Sequence, residues 1–364
     1  MAACCVHHRF NLIQRFDRSL LGRYIKDQER LRAVRDTNRI VRPFEWGVSF
    51  IREHINRDDP RSIVERYTHG AMQRSEDFYA LPPVSDYHLS NENLLTWTSA
   101  VNTPSLENNI ACARFFPAVT NWRTKGRSGP PRAVVVLAQW NADARSHVDL
   151  CRNLSRRGIN VLRVTLPYHE ARRPPELERA DYLVSPNIGR SLQSMRQAVL
   201  DTRAAVSWLS ARGYERIGIV GTSIGSCIAF LAFAHDTRIN MGVFNHVSGY
   251  VADVVWHGIS TQHVRAGIEP HLTLDELRRH WLPISPMPFA RKLLDLPVRP
   301  MRFIAARHDL TFPIDLSRAV IAEVRKFGVP LDVTWLPCGH YTSGEKPWVY
   351  WDGWKIISYL TKHL

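Results

Sequence analysis

From Ala133 onward the chain alternates short branched apolar runs with amphipathic segments for over two hundred residues. That rhythm restricts its architecture more than any other feature. Residues 133–139 (AVVVLAQ) form a continuous apolar run, the pattern of a strand buried on both faces. A helix follows, with apolar residues spaced as Val148, Leu150, Cys151 and Leu154, then a second buried strand at 159–166. The series continues with a helix at 193–209, a strand at 216–221, a helix from Ser223 and a strand at 241–247. It closes with a strand at 301–305, a helix at 314–327, a strand at 331–336 and a helix from Trp348. Alternation of this kind means crossover units and a mostly parallel sheet with helices on both faces. Upstream, the β-prone runs 94–100 and 110–116 flank a turn-forming N-T-P-S segment and read as antiparallel strands, giving a sheet of the eight-stranded type.

Two stretches lie outside the rhythm. Residues 249–296, about 48 in number, are too long for an ordinary connection and read as an inserted cap. They follow a strand, so they should emerge at the carboxyl edge of the sheet. There Trp256, Ile259, Trp281, Met287 and Phe289 could offer apolar surface to a pocket. Residues 1–93 read as a helical and irregular extension, with an amphipathic piece at 44–55 and a polar, irregular stretch at 61–93. The expected domains are therefore the extension 1–93 and an α/β domain 94–364 with its insertion. No repeat or low-complexity tract interrupts them.

Composition narrows the function. No run of about 18 apolar residues occurs, so a membrane-spanning helix is not expected. The formal net charge is +14, with 48 basic residues of which only 7 are lysine. A nucleic-acid binder would cluster that charge, yet residues 1–60 carry 12 basic against 8 acidic residues and the remainder is dispersed. No nucleic-acid partner is expected; an anionic substrate or a weak anionic-membrane contact suits the charge better. The opening MAACCVHHRF lacks the apolar stretch of a secretory signal. The six cysteines show neither C-x-x-C spacing nor scaffold density, which points to reduced thiols and a cytoplasmic setting. Acylation of Cys4 or Cys5 has no flanking motif behind it.

The sharpest motif is Gly221-Thr222-Ser223-Ile224-Gly225, directly after the strand R-I-G-I-V and before a small-residue helix. It is G-x-S-x-G in the strand–turn–helix setting that gives the pattern meaning. A serine at the apex of so tight a turn is strained, and side chains two positions away would clash, so both are glycine. Its hydroxyl needs a base, and the base an orienting carboxylate. In this arrangement acid and histidine follow the serine in that order. Asp309 follows the strand at 301–305, and His340, preceded by Gly339, follows the strand at 331–336. Asp253 is the rival acid, and His308 and Asp315 are lesser rivals. The oxyanion hole takes the Ile224 N–H and, from the loop after the first parallel strand, the Trp140 N–H. No metal site is expected, since H-E-x-x-H is missing and His257 with His263 is a loose pair.

On the elbow at Ser223, the loop 307–313 and Gly339-His340, residues 94–364 resemble the α/β-hydrolase superfamily. The segment Pro167-Tyr168-His169-Glu170-Ala171-Arg172-Arg173-Pro174 also resembles the α/β-hydrolase-domain protein 18 type. By position it should border the pocket, with Tyr168 or His169 touching substrate and Arg172 and Arg173 holding an anionic group, or forming paired charges on a surface loop. The resemblance implies an α/β-hydrolase fold and a serine hydrolase without cofactor. Its expected substrate is a small-molecule or lipid acyl ester or thioester. A non-catalytic binding protein on the same fold, and a basic lipid-surface acyl hydrolase, are the other readings.

Overall fold

The computed structural model describes residues 20–51, 59–119 and 130–364. Its sheet has nine strands among them. They are β1 (His88–Leu89), β2 (Leu94–Thr98), β3 (Ile110–Phe116), β4 (Arg132–Leu137), β5 (Asn160–Val164), β6 (Arg216–Thr222), β7 (Ile239–Asn245), β8 (Met301–Ala306) and β9 (Asp332–Leu336). The order across the sheet is β1-β2-β3-β5-β4-β6-β7-β8-β9. The first four positions pair antiparallel, and everything from β5 to β9 is parallel. The strand beyond the expected eight is β1, two residues long, which carries no periodicity to read.

The alternation along each strand sends neighbouring side chains to opposite faces. Ala133, Val135 and Leu137 of β4 join the larger apolar core, under the helices Ile188–Ser210 and Ile224–His235. Val134 and Val136 join the smaller one, under Val148–Ser155 and the closing helix Trp348–His363. Strand β4 lies between β5 and β6, where the crossovers change direction. At such a switch point the carboxyl ends of the strands open a crevice.

Described residues of the N-terminal extension pack into the larger core. The stretch expected to be irregular contains the helix Pro60–Gln73, which starts on an Asp59 side chain accepting from the Ser62 N–H, with Pro60 in the first turn. Its buried Ile63, Val64 and Ala71 recur at helical spacing and enter the main core. Dense charge around them hid that spacing in the sequence. Of the piece at 44–55, a single turn, Val48–Ile51, is described. Residues 52–55, Cys4 and Cys5 lie outside the described residues. The insertion folds as three seven-residue helices, Val251–His257, Gln262–Ile268 and Leu274–His280, followed by short 3-10 turns. Thr68 Oγ1 donates to the His280 carbonyl (3.0 Å) and the Tyr79 hydroxyl to that of Pro283 (2.8 Å), so extension and insertion support each other.

Candidate active site

Ser223 stands between β6 and the helix Ile224–His235 with φ 59° and ψ −126°, a conformation that L-residues adopt only under constraint. The constraint is visible on both sides. A Cβ on Gly221 would lie 2.1 Å from the Gly225 carbonyl oxygen, and one on Gly225 would lie 2.4 Å from that of Ala138. Only glycine fits either place. The Ser223 N–H donates to the Asn245 carbonyl (2.8 Å), which ties the turn to β7. Ile224 opens a twelve-residue helix, so its peptide N–H lies at the positive end of the helix dipole.

His340 and Asp309 arrive from the loops after β9 and β8. The Ser223 hydroxyl lies 3.0 Å from His340 Nε2, and His340 Nδ1 lies 2.9 Å from Asp309 Oδ2. An ionised carboxylate only accepts, so His340 Nδ1–H donates to it and leaves Nε2 facing the serine as acceptor. Burial alone would raise the Asp309 carboxyl. The charge that His340 carries when protonated, and the hydrogen bonds from His246 and His340, outweigh it and hold the group well below the usual carboxylate range. Its other oxygen accepts from the Thr311 and Phe312 N–H groups (2.8 and 2.6 Å). Phe312 stacks on the His340 ring, centroids 5.2 Å apart. Asp253 is elsewhere, ion-paired with Arg278 at 2.6 Å, and His308 is buried.

The loop after β4, which carries Trp140, is braced by hydrogen bonds from two sides. Asn141, with φ 59°, donates its N–H to His169 Nε2 (2.9 Å) and accepts from the Ala180 N–H (2.8 Å). The Trp140 ring donates Nε1–H to the Ala180 carbonyl (2.9 Å) and stacks on His263 of the insertion at 5.8 Å. Because His169 Nε2 is an acceptor here, its Nδ1 carries the proton and donates to the Pro167 carbonyl (2.9 Å). Burial pushes this imidazole down to about 4, which keeps it neutral.

Tyr168 and His169 were expected at the pocket surface, and the structure places both elsewhere. They are 1% and 3% exposed. Tyr168 borders a separate cleft with Leu106 and Tyr182, and His169 sits behind the loop after β4. Arg172 does not hold a ligand anion: it is 1% exposed and bound to Asp201 at 2.8 Å. Arg173 donates to the Glu178 carbonyl. A polar-looking segment can turn inward when its groups find partners, which sequence does not display.

A cavity of about 1070 Å³ opens over Ser223 and is lined by Trp140, Ile224, Phe312 and His340. The insertion lends it Val251, Val254 and Val255 rather than its larger aromatics. Trp281 and Phe289 are core residues, and Trp256 borders another cleft. Asp36 and Arg39 of the N-terminal extension also reach the cavity. Arg39 donates to the Tyr341 hydroxyl (2.6 Å).

One residue at the site escaped the sequence reading. His246 Nδ1 lies 3.1 Å from Asp309 Oδ2, the same oxygen that His340 uses. Its position directly after β7, at the carboxyl edge, was the available signal. His246, Asp309 and His340 each have a ligand atom within 4.8 Å of the others, a geometry that could hold a metal ion. An ion there would displace the hydrogen bond that aims His340 at Ser223.

No protein-family model and no curated protein matches the sequence. Solved structures do. An acetyl xylan esterase from Paenibacillus sp. R4 is 12% identical with a TM-score of 0.59, over 87% of this chain and 98% of that one. A Pyrococcus horikoshii acylaminoacyl peptidase is 13% identical with a TM-score of 0.56, over 80% of this chain and 43% of that one. A puromycin-hydrolyzing peptidase from Mycobacterium tuberculosis is 17% identical with a TM-score of 0.55, over 70% of this chain and 37% of that one. The chain thus spans less than half the length of either peptidase. At these identities the likeness is one of fold, and the fold is that of the α/β-hydrolases.

Proposed function

We propose that the protein is a serine hydrolase that cleaves a carboxylic ester or thioester through an acyl-enzyme. The observation that carries the reading is the unbroken chain Ser223 Oγ, His340, Asp309 at 3.0 and 2.9 Å. His340 takes the serine proton as Ser223 attacks the carbonyl carbon, and Asp309 stabilises the imidazolium that forms. The N–H groups of Ile224 and Trp140 receive the oxyanion. His340 then passes its proton to the leaving group, and water, activated by the same histidine, releases the acid. No step requires a cofactor.

The cavity wall of Ile224, Val251, Val254, Val255 and Phe312 suits an acyl group, and we assign residues 249–296 the part of a cap that selects it. An open cavity over the serine favours turnover over a purely binding role. The four described cysteines are buried free thiols, consistent with a reducing, cytoplasmic setting; no helix among the described residues is long and apolar enough to cross a membrane. The segment 167–174 supports a place near the α/β-hydrolase-domain protein 18 type, with His169 bracing the oxyanion loop. The test is labelling by a fluorophosphonate with peptide mapping. The adduct is expected on Ser223 and absent in Ser223→Ala; an adduct elsewhere, or none on folded protein, overturns the reading.

A further inference from the structure

We infer that His246 is a positioning residue which shares the triad carboxylate with His340 and sets the acid limit of the reaction. The inference rests on the triad proposed above. His246 is 1% exposed and held in a left-handed conformation, φ 56°, an arrangement that non-glycine residues keep only where the surroundings enforce it. Its N–H donates to the Ile304 carbonyl (2.8 Å), and its own carbonyl accepts from the Ser226 hydroxyl (3.1 Å). The ring is thus fixed between β7, β8 and the helix behind Ser223. From there Nδ1–H reaches Asp309 Oδ2.

Asp309 then accepts four hydrogen bonds, two on Oδ1 from the backbone and two on Oδ2 from imidazoles. Such a carboxylate has no freedom to rotate away from His340. The same geometry has a consequence for pH. The rings of His246 and His340 have centroids 4.9 Å apart. Catalysis requires His340 to become an imidazolium, and a His246 already charged opposes that across this distance. Asp309 faces His246 from the loop after β8, His340 from the loop after β9, Asp352 from the closing helix and Glu29 from the N-terminal helix. Burial lowers the affinity of His246 for a proton, but the bond to Asp309 and the three carboxylates more than offset it. His246 therefore takes a proton more readily than an ordinary imidazole, and once charged it stands beside the ring that must become an imidazolium.

The variant that separates the roles is His246→Asn. An asparagine amide keeps a donor near the place of Nδ1 and tolerates positive φ, but cannot take a proton. Rates of fluorophosphonate labelling at Ser223, measured from pH 5 to 9, read His340 as a base whatever the natural substrate. Wild type should lose rate on the acid side more steeply than the tenfold per pH unit of a single proton. His246→Asn should keep the plateau within a fewfold and move the acid limb down by about one pH unit. Superimposable profiles would overturn the inference, as would a uniform drop at every pH, which marks a merely structural histidine. If His246→Asn does not fold, ¹⁵N-histidine titration of the wild type decides. Two coupled rings support the inference, and a ring at position 246 that stays neutral down to pH 5 overturns it. Failure of wild type to label at Ser223 defeats the triad reading itself, an outcome distinct from all of these.

Discussion

Replacing Glu29 by alanine should damage an active site with which it shares no strand and no neighbouring sequence. Glu29 lies on the helix Leu20–Arg35 and is 0% exposed. Its carboxylate accepts from the N–H of Tyr341 (3.0 Å) and of Thr342 (2.8 Å), the two residues after His340. Gly339 lets it come that close, since a Cβ there would lie 2.3 Å from the Glu29 carboxyl carbon. Glu29→Ala leaves one buried and one half-buried N–H group without its acceptor, at roughly 1–3 kcal/mol each. For a chain of 364 residues the unfolding entropy turns that into a fall in Tm of about 3–8 °C. A His340 loop freed by a fraction of an ångström should also lower kcat by about 10- to 100-fold, with KM little changed. Glu29→Gln, whose amide oxygen still accepts one bond, should fall between. Thermal unfolding by circular dichroism and hydrolysis of a small ester measure both effects. A Glu29→Ala protein with wild-type Tm and wild-type kcat would refute the argument that the helix holds the histidine.

The acid can be tested against its rival. Asp309→Asn should lower kcat by about 10³- to 10⁴-fold through the wrong imidazole tautomer, while Asp253→Asn, which only loosens the pair with Arg278, should leave kcat within a fewfold; the reverse pattern in ester hydrolysis would transfer the role. Stability should fall as the pH drops from about 6.5 to about 4, because burial holds His147, His169, His235, His263 and His280 at about 4. In that window the unfolded chain binds more protons. Asp309, with its depressed carboxyl, adds stability above the unfolded value near 4 that is lost below it, while His246 and the carboxyls of Asp201 and Asp352, all held above their ordinary values, work in the opposite sense. Urea midpoints at pH 7 and pH 5 check the sum, and equal midpoints would contradict it.

The parallel strands were legible because burial on both faces leaves no choice of residue: β4 is Arg-Ala-Val-Val-Val-Leu. The elbow was legible because sterics admit only glycine at positions 221 and 225. Asp309 and His340 could be picked as candidates from topology, since each follows a strand at the edge that carries Ser223. What stayed hidden was contact between distant segments. Nothing in P-Y-H-E-x-R-R-P shows that Asp201 will neutralise Arg172 or that Asn141 will occupy His169. Nothing near Trp281 shows that it will be wholly buried while three valines face the cavity. Glu29 was silent for the same reason, and His246 offered only its place after β7: each acts through a partner more than sixty residues away.

The grip of Glu29 on the loop after β9 joins positions 312 and 313 residues apart. On a ribosome Glu29 is made long before His340, whose loop it holds. At about 5–20 residues per second, many seconds separate them. On the proposed mechanism, a nascent chain that ends between Ser223 and His340 carries the serine with nothing to activate it. A stalled or proteolytically shortened product ending before residue 340 is equally inert, however well its sheet has formed. On the proposed mechanism, hydrolysis thereby reports a chain made past residue 340, with the helix Leu20–Arg35 in place.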